Sequence, residues 1–95
     1  METESGISFA QFILSLGTTA AVHFGDLPDP VTGESGETNL AGAAQMIELL
    51  SLLQSKTAGN LEPAEAKLLE DLLFDLRMRF VQAQQQQQPP RIVQP

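Results

Sequence analysis

Apolar residues recur in three separate stretches of this chain, each at the three-and-four spacing of an α-helix. In the first, Phe9, Phe12, Ile13, Leu16, Ala20 and Phe24 gather on one face at about 100° per residue, with Gln11, Ser15, Thr18 and Thr19 opposite. Gly25 ends it. In the second, Leu40, Ala43, Ala44, Ile47 and Leu50 recur from Asn39, joined by Leu49, Leu52 and Leu53. Asn39 or Thr38 can cap its start, since a short polar side chain accepts bonds from first-turn amides. Lys56 suits its last turn and Gly59 its stop. The third opens at Glu62-Pro63-Ala64-Glu65, with proline at the first helical position and acid in the first turn. It continues through Leu68, Leu69, Leu72, Leu73, Leu76 and Phe80 as one apolar stripe. The pattern predicts helices over about residues 8–24, 39–58 and 63–82. The fold class is all-α: a small three-helix domain over residues 8–82, made of one helix, a long acidic loop and a helical hairpin.

The segments between and beyond the helices read as irregular. Residues 25–37, GDLPDPVTGESGE, are rich in glycine, proline and acid, and are expected to form a mobile loop. Residues 1–7 are polar and acidic and read as a disordered tail. Residues 83–95 hold a glutamine run followed by PPRIVQP, have no apolar periodicity, and read as a second disordered tail, into whose glutamines the third helix can fray for a turn. In an extended, polyproline-like form PPRIVQP would suit a short docking peptide, but a dispensable tail is the simpler reading.

Two helices carry more apolar surface than a three-helix monomer can cover. In the third, Phe74, Met78 and Val81 form a second stripe nearly opposite the leucines. In the second, the apolar arc from Leu49 through Leu53, Met46, Leu50 and Ile47 to Ala44 spans more than half the circumference. Exposed stripes of that size are usually interfaces. The candidate interface is therefore Phe74, Met78, Val81, Leu49 and Leu53. So short a chain builds only a thin core, and self-association is the simplest way to complete it.

Charge and composition narrow the partners. Acidic residues outnumber basic ones 12 to 5, and no lysine or arginine precedes Lys56. An acidic chain repels phosphate backbones and anionic lipid, so neither nucleic acid nor a membrane surface is expected as a partner. Phe9–Phe24 is shorter than the roughly 20 apolar residues a membrane span needs, and polar residues interrupt it. No basic region precedes it, so no secretory signal is expected. The absence of cysteine excludes disulfides and thiolate metal sites and fits a reducing cytoplasm.

Little in the sequence promises catalysis. His23 is the one histidine, and a catalytic or metal role would need a nucleophile or further ligands beside it. It reads more simply as a residue suited to a helix C-terminus. Asp26, Asp29, Glu34 and Glu37 lack the alternate-position spacing of a calcium loop, so no metal and no cofactor are expected. Glu70 and Asp71 point about 100° apart on a helix, too divergent to share a proton. Asp75 and Arg79, four apart in the favourable order, are expected to pair. Arg77 and Arg79 would then lie near a helix C-terminus.

The turn Lys56, Thr57, Gly59, Asn60, Leu61 with Glu65, followed by Leu73, Leu76, Arg77, Phe80 and Val81, resembles the bacterial family known as domain of unknown function 1844. That family carries a KT-GNL-x-x-E turn between two helices and an L-x-x-LR-x-x-aromatic-V ending. FAQFILSLGTTAAVHFGDLPDP is similar to its first helix and the acidic loop that follows, so the resemblance covers roughly residues 8–82. Glu62 stands where a small hydroxyl residue is expected, which weakens the cap. The resemblance implies a small helical protein and brings no activity with it.

Two functions remain open at this point. One is a small cytoplasmic protein that self-associates as an interaction or accessory subunit, with no catalysis of its own. The other is a binder of a small hydrophobic ligand held between helices, with His23 and Gln11 as polar contacts.

Overall fold

The computed structural model describes residues 7–34 and 38–87. Expectations placed on residues 1–6, 35–37 and 88–95 lie outside the described residues. Three helices follow one another: α1 (Phe9–Phe24), α2 (Leu40–Lys56) and α3 (Pro63–Gln87). Each packs on the other two, and the described residues contain no strand.

Local chemistry sets each boundary. At the start of α1, the Ser8 hydroxyl accepts from the Gln11 backbone N–H while the Gln11 side chain accepts from the Ser8 N–H, both at 3.1 Å. This reciprocal box satisfies two first-turn donors. Gly25, with φ of 84°, ends α1 in the left-handed conformation. There the Gly25 N–H donates to the Val22 carbonyl and the Asp26 N–H to that of Ala21, which satisfies two of the last carbonyls. Asn39, rather than Thr38, caps α2, its Oδ1 accepting from the Gly42 N–H at 3.0 Å. Thr38 instead donates its hydroxyl to the Phe24 carbonyl.

The hairpin turn differs in detail from the expected one. α2 stops at Lys56, and Thr57 caps it, its N–H and its hydroxyl both donating to the Leu53 carbonyl. Gly59 takes its positive φ of 87° in the turn beyond, not at the helix end. Glu62 supplies no hydroxyl cap, yet α3 still starts cleanly. The Glu65 carboxylate reaches back to the Glu62 N–H at 2.9 Å, and the Glu62 carbonyl accepts from Ala66.

α3 also runs past the expected boundary at Gln82, as far as Gln87. The reason is Ala83, which is only 2 % exposed and belongs to the core. Residues 83–87 are therefore helix, not tail. Arg77 and Arg79 consequently sit within α3 rather than near its end.

The core is a single apolar cluster at the centre of the three helices. It comprises Ile13, Ala20 and Phe24 from α1, Ala43 and Leu50 from α2, and Leu69, Leu73, Leu76 and Ala83 from α3. Two glycines allow the helices to approach. A methyl group on Gly17 would lie 3.0 Å from Leu72, and one on Gly42 only 2.7 Å from the His23 ring and 2.8 Å from the Asn39 amide.

Alanine at position 42 would ordinarily strengthen a helix by up to about 1 kcal/mol. Here it must displace both His23 and the capping Asn39, and loss of the cap alone costs about 1 kcal/mol. With the cap loss offsetting the propensity gain, the net cost is the displacement of His23 from the junction of α1 and α2, and Gly42→Ala should lower the thermal midpoint by roughly a few degrees. Calorimetry on the two proteins checks it; a higher midpoint would show that His23 moves aside freely.

Candidate functional site

His23 is half-buried in the last turn of α1, where its carbonyl accepts from the Asn39 N–H. Its Nδ1 lies 3.5 Å from the Asn39 side-chain amide. The ring thus fills the junction between the end of α1 and the start of α2. Gln11 is committed to the opposite end of α1, about 18 Å away along the axis. The two side chains do not converge on one small ligand.

Two of the loop acids, Asp26 and Asp29, are bound to the protein itself. Asp29 folds its own loop: Oδ1 accepts from the Val31 N–H at 2.7 Å, and its backbone exchanges bonds with Gly33 and Glu34. Glu37 lies outside the described residues. Among the described residues, no three His, Cys, Asp or Glu side chains come together to hold a metal ion. Asp71 pairs with Lys67 at 3.2 Å on the exposed face of α3. That pair was visible in the sequence as a four-residue spacing, although its order is the weaker one.

Arg79 does not turn to Asp75. It makes a two-pronged contact with Asp26 at 2.7 and 2.8 Å and lies over the Phe24 ring, 5.1 Å from its centroid. A two-pronged, partly shielded carboxylate contact on an aromatic face outweighs an exposed pair on one helix, which is worth only a few tenths of a kcal/mol. The contact clamps the end of α1 to α3.

This clamp carries a pH signature. The hydrogen bonds from Arg79 hold the Asp26 carboxyl below its ordinary value, against a smaller opposing effect of burial. A carboxyl depressed in the folded state stabilises it above the unfolded value, and that contribution disappears as pH falls through the folded value. Stability should therefore decline below about pH 4. Asp26→Asn should lose stability at neutral pH and show a shallower decline, measured by urea unfolding between pH 2 and 7. An unchanged slope would mean that the clamp is broken in solution.

What remains is apolar surface. Phe74, Met78 and Val81 are 63, 58 and 50 % exposed, and at spacings of four and three they form one line along α3. Their side of the helix is turned away from Leu69, Leu73, Leu76 and Ala83 in the core. Between α2 and α3 runs an open groove of about 300 Å³, lined by Ala44, Ile47, Glu48, Arg77, Phe80 and Val81. Val81 belongs to both, so groove and stripe form one continuous surface on the hairpin.

Leu49 and Leu53 do not join it. Ser51 marks the side of α2 facing α3, since its hydroxyl accepts from Arg77 at 3.1 Å. Leu49 and Leu53 each lie two residues, or about 200°, away from it. Leu49 shares a face with Gly42, which looks at His23 of α1. Leu53 is half-buried against the core, whereas Leu49 and the neighbouring Leu52 are exposed. The turn residues Lys56, Thr57, Gly59, Asn60 and Leu61 join α2 to α3, and Leu61 folds back on the core.

No helix among the described residues is long and apolar enough to cross a membrane. A family model described as "Domain of unknown function (DUF1844)" matches residues 6–82. No curated protein and no solved structure matches the chain.

Proposed function

This chain belongs to the DUF1844 family, and we propose that it is a self-associating helical subunit that serves as an interaction or accessory protein in the cytoplasm, without catalysis of its own. The observation that carries this reading is the line of Phe74, Met78 and Val81, three large apolar side chains exposed together on the outer face of α3. Scattered apolar residues on a surface are ordinary, but a contiguous line beside an apolar groove supports a docking surface. The same helix face is polar on either side of the line, at Glu70, Asp71, Gln82 and Gln85, as the rim of an interface is.

Met78 occupies the middle of the line. Met78→Glu should weaken self-association at least about tenfold, because it buries a charge at the contact without touching the core. Sedimentation equilibrium measures the change and circular dichroism checks that the fold is kept. An association constant equal to that of the native chain would remove α3 from the interface.

The second reading, a small hydrophobic ligand, draws on the groove between Ala44, Ile47, Phe80 and Val81, whose volume is at the lower bound of ordinary ligand sites. Native mass spectrometry of the protein purified under mild conditions tests it, since a bound small molecule adds a fixed mass to each chain.

A further inference from the structure

The groove is lined by one acid and one base. Glu48 comes from α2 and Arg77 from α3, and they share the groove with Ala44, Ile47, Phe80 and Val81. The two charges do not pair with each other: Arg77 donates one Nη2 bond to Ser51, and the ion pairs among the described residues are Lys67–Asp71 and Asp26–Arg79. A carboxylate and most of a guanidinium are thus left uncommitted at the rim of an apolar surface.

A two-fold contact makes residue i meet residue j and j meet i. A surface bearing one acid and one base at separate points beside an apolar groove is complementary to itself under such an axis. A basic peptide would satisfy Glu48 alone, and an acidic one Arg77 alone. A second copy satisfies both at once. The copies also need such local attraction, because each carries a formal net charge of −7 and repels the other at long range.

We infer that the occupant of the groove is a second copy of this chain, related by a two-fold axis, with two reciprocal Glu48–Arg77 ion pairs fixing its register. The line of Phe74 and Met78 from each copy packs along the seam. This inference rests on the self-association reading and adds to it the identity of the charges that decide who pairs with whom. Opposite charges fix register and partner choice even where they add little affinity.

The test is a mixing experiment on two full-length variants, Glu48→Arg and Arg77→Glu, both at exposed positions. Alone, each variant sets like charges against each other at both contacts, and its dissociation constant should rise at least about tenfold. Mixed in equal amounts, the two restore opposite charges at both contacts, and association should return to within about threefold of the native value. Raising the salt concentration should shrink both differences.

A native chain that stays monomeric sinks the self-association reading itself, and this inference with it. A native dimer whose single variants associate as well as it does overturns the pairing alone. Rescue by both changes within one chain, without rescue by mixing, would place the ion pair inside a single copy and also overturn it. Circular dichroism of each variant distinguishes lost pairing from lost folding.

Discussion

Leu73→Ala is expected to remove about 3 kcal/mol of folding free energy. Leu73 is 1 % exposed and sits mid-helix in α3, packed in the cluster that draws side chains from all three helices. Truncation there loses the transfer energy of the buried side chain and leaves a cavity that rigid helices cannot close. A domain this small holds a modest total stability, so the loss takes a large share of it. Urea unfolding followed by circular dichroism gives the number directly. Phe74→Ala, one residue along but on the outer face, should change the stability of the monomer by less than about 0.5 kcal/mol. If the two substitutions cost the same, the faces of α3 are assigned wrongly.

The second large effect is expected at Ala83. Ala83→Glu places a carboxylate at a position that is 2 % exposed, one turn beyond the Arg79 clamp. An unpaired buried charge costs about 3 kcal/mol or more. The flanking glutamines Gln82 and Gln85 are exposed, and Gln82→Glu or Gln85→Glu should cost little. The contrast between adjacent positions reads out the helix directly. Equal, small costs at all three would mean that the chain beyond Gln82 is not packed.

Those two sites also show where the sequence was and was not legible. The three helices could be read because each repeats its apolar residues at helical spacing over several turns, as Ile13, Ala20 and Phe24 or Leu69, Leu73 and Leu76 do. Ala83 was hidden because a lone small residue among glutamines carries no periodic signal, although it falls at the same phase as Leu69 and Leu76. The Asp26–Arg79 clamp was hidden because its partners are far apart in the chain, while Asp75 stood at an obvious local spacing. Spacing along one helix reveals local pairs and is blind to tertiary ones.

The candidate surface was legible in part. Phe74, Met78 and Val81 stood out as apolar residues opposite an apolar stripe, and the fold leaves them exposed. Leu49 and Leu53 were grouped with them because periodicity gives the width of an apolar arc and not which flank meets which neighbour. Only the Arg77–Ser51 and Gly42–His23 contacts reveal that α2 turns one flank to α3 and the other to α1. The groove joining Ile47 to Val81 has no sequence signature at all, since it exists only once two helices are packed.

The most direct test is the mass of the native chain in solution, followed by sedimentation equilibrium across a hundredfold range of concentration at near-physiological salt. The mass should rise from one chain towards twice that value as concentration increases, and Met78→Glu should move that rise to concentrations at least about tenfold higher. A native chain of 10.3 kDa that remains monomeric at every concentration would contradict the account.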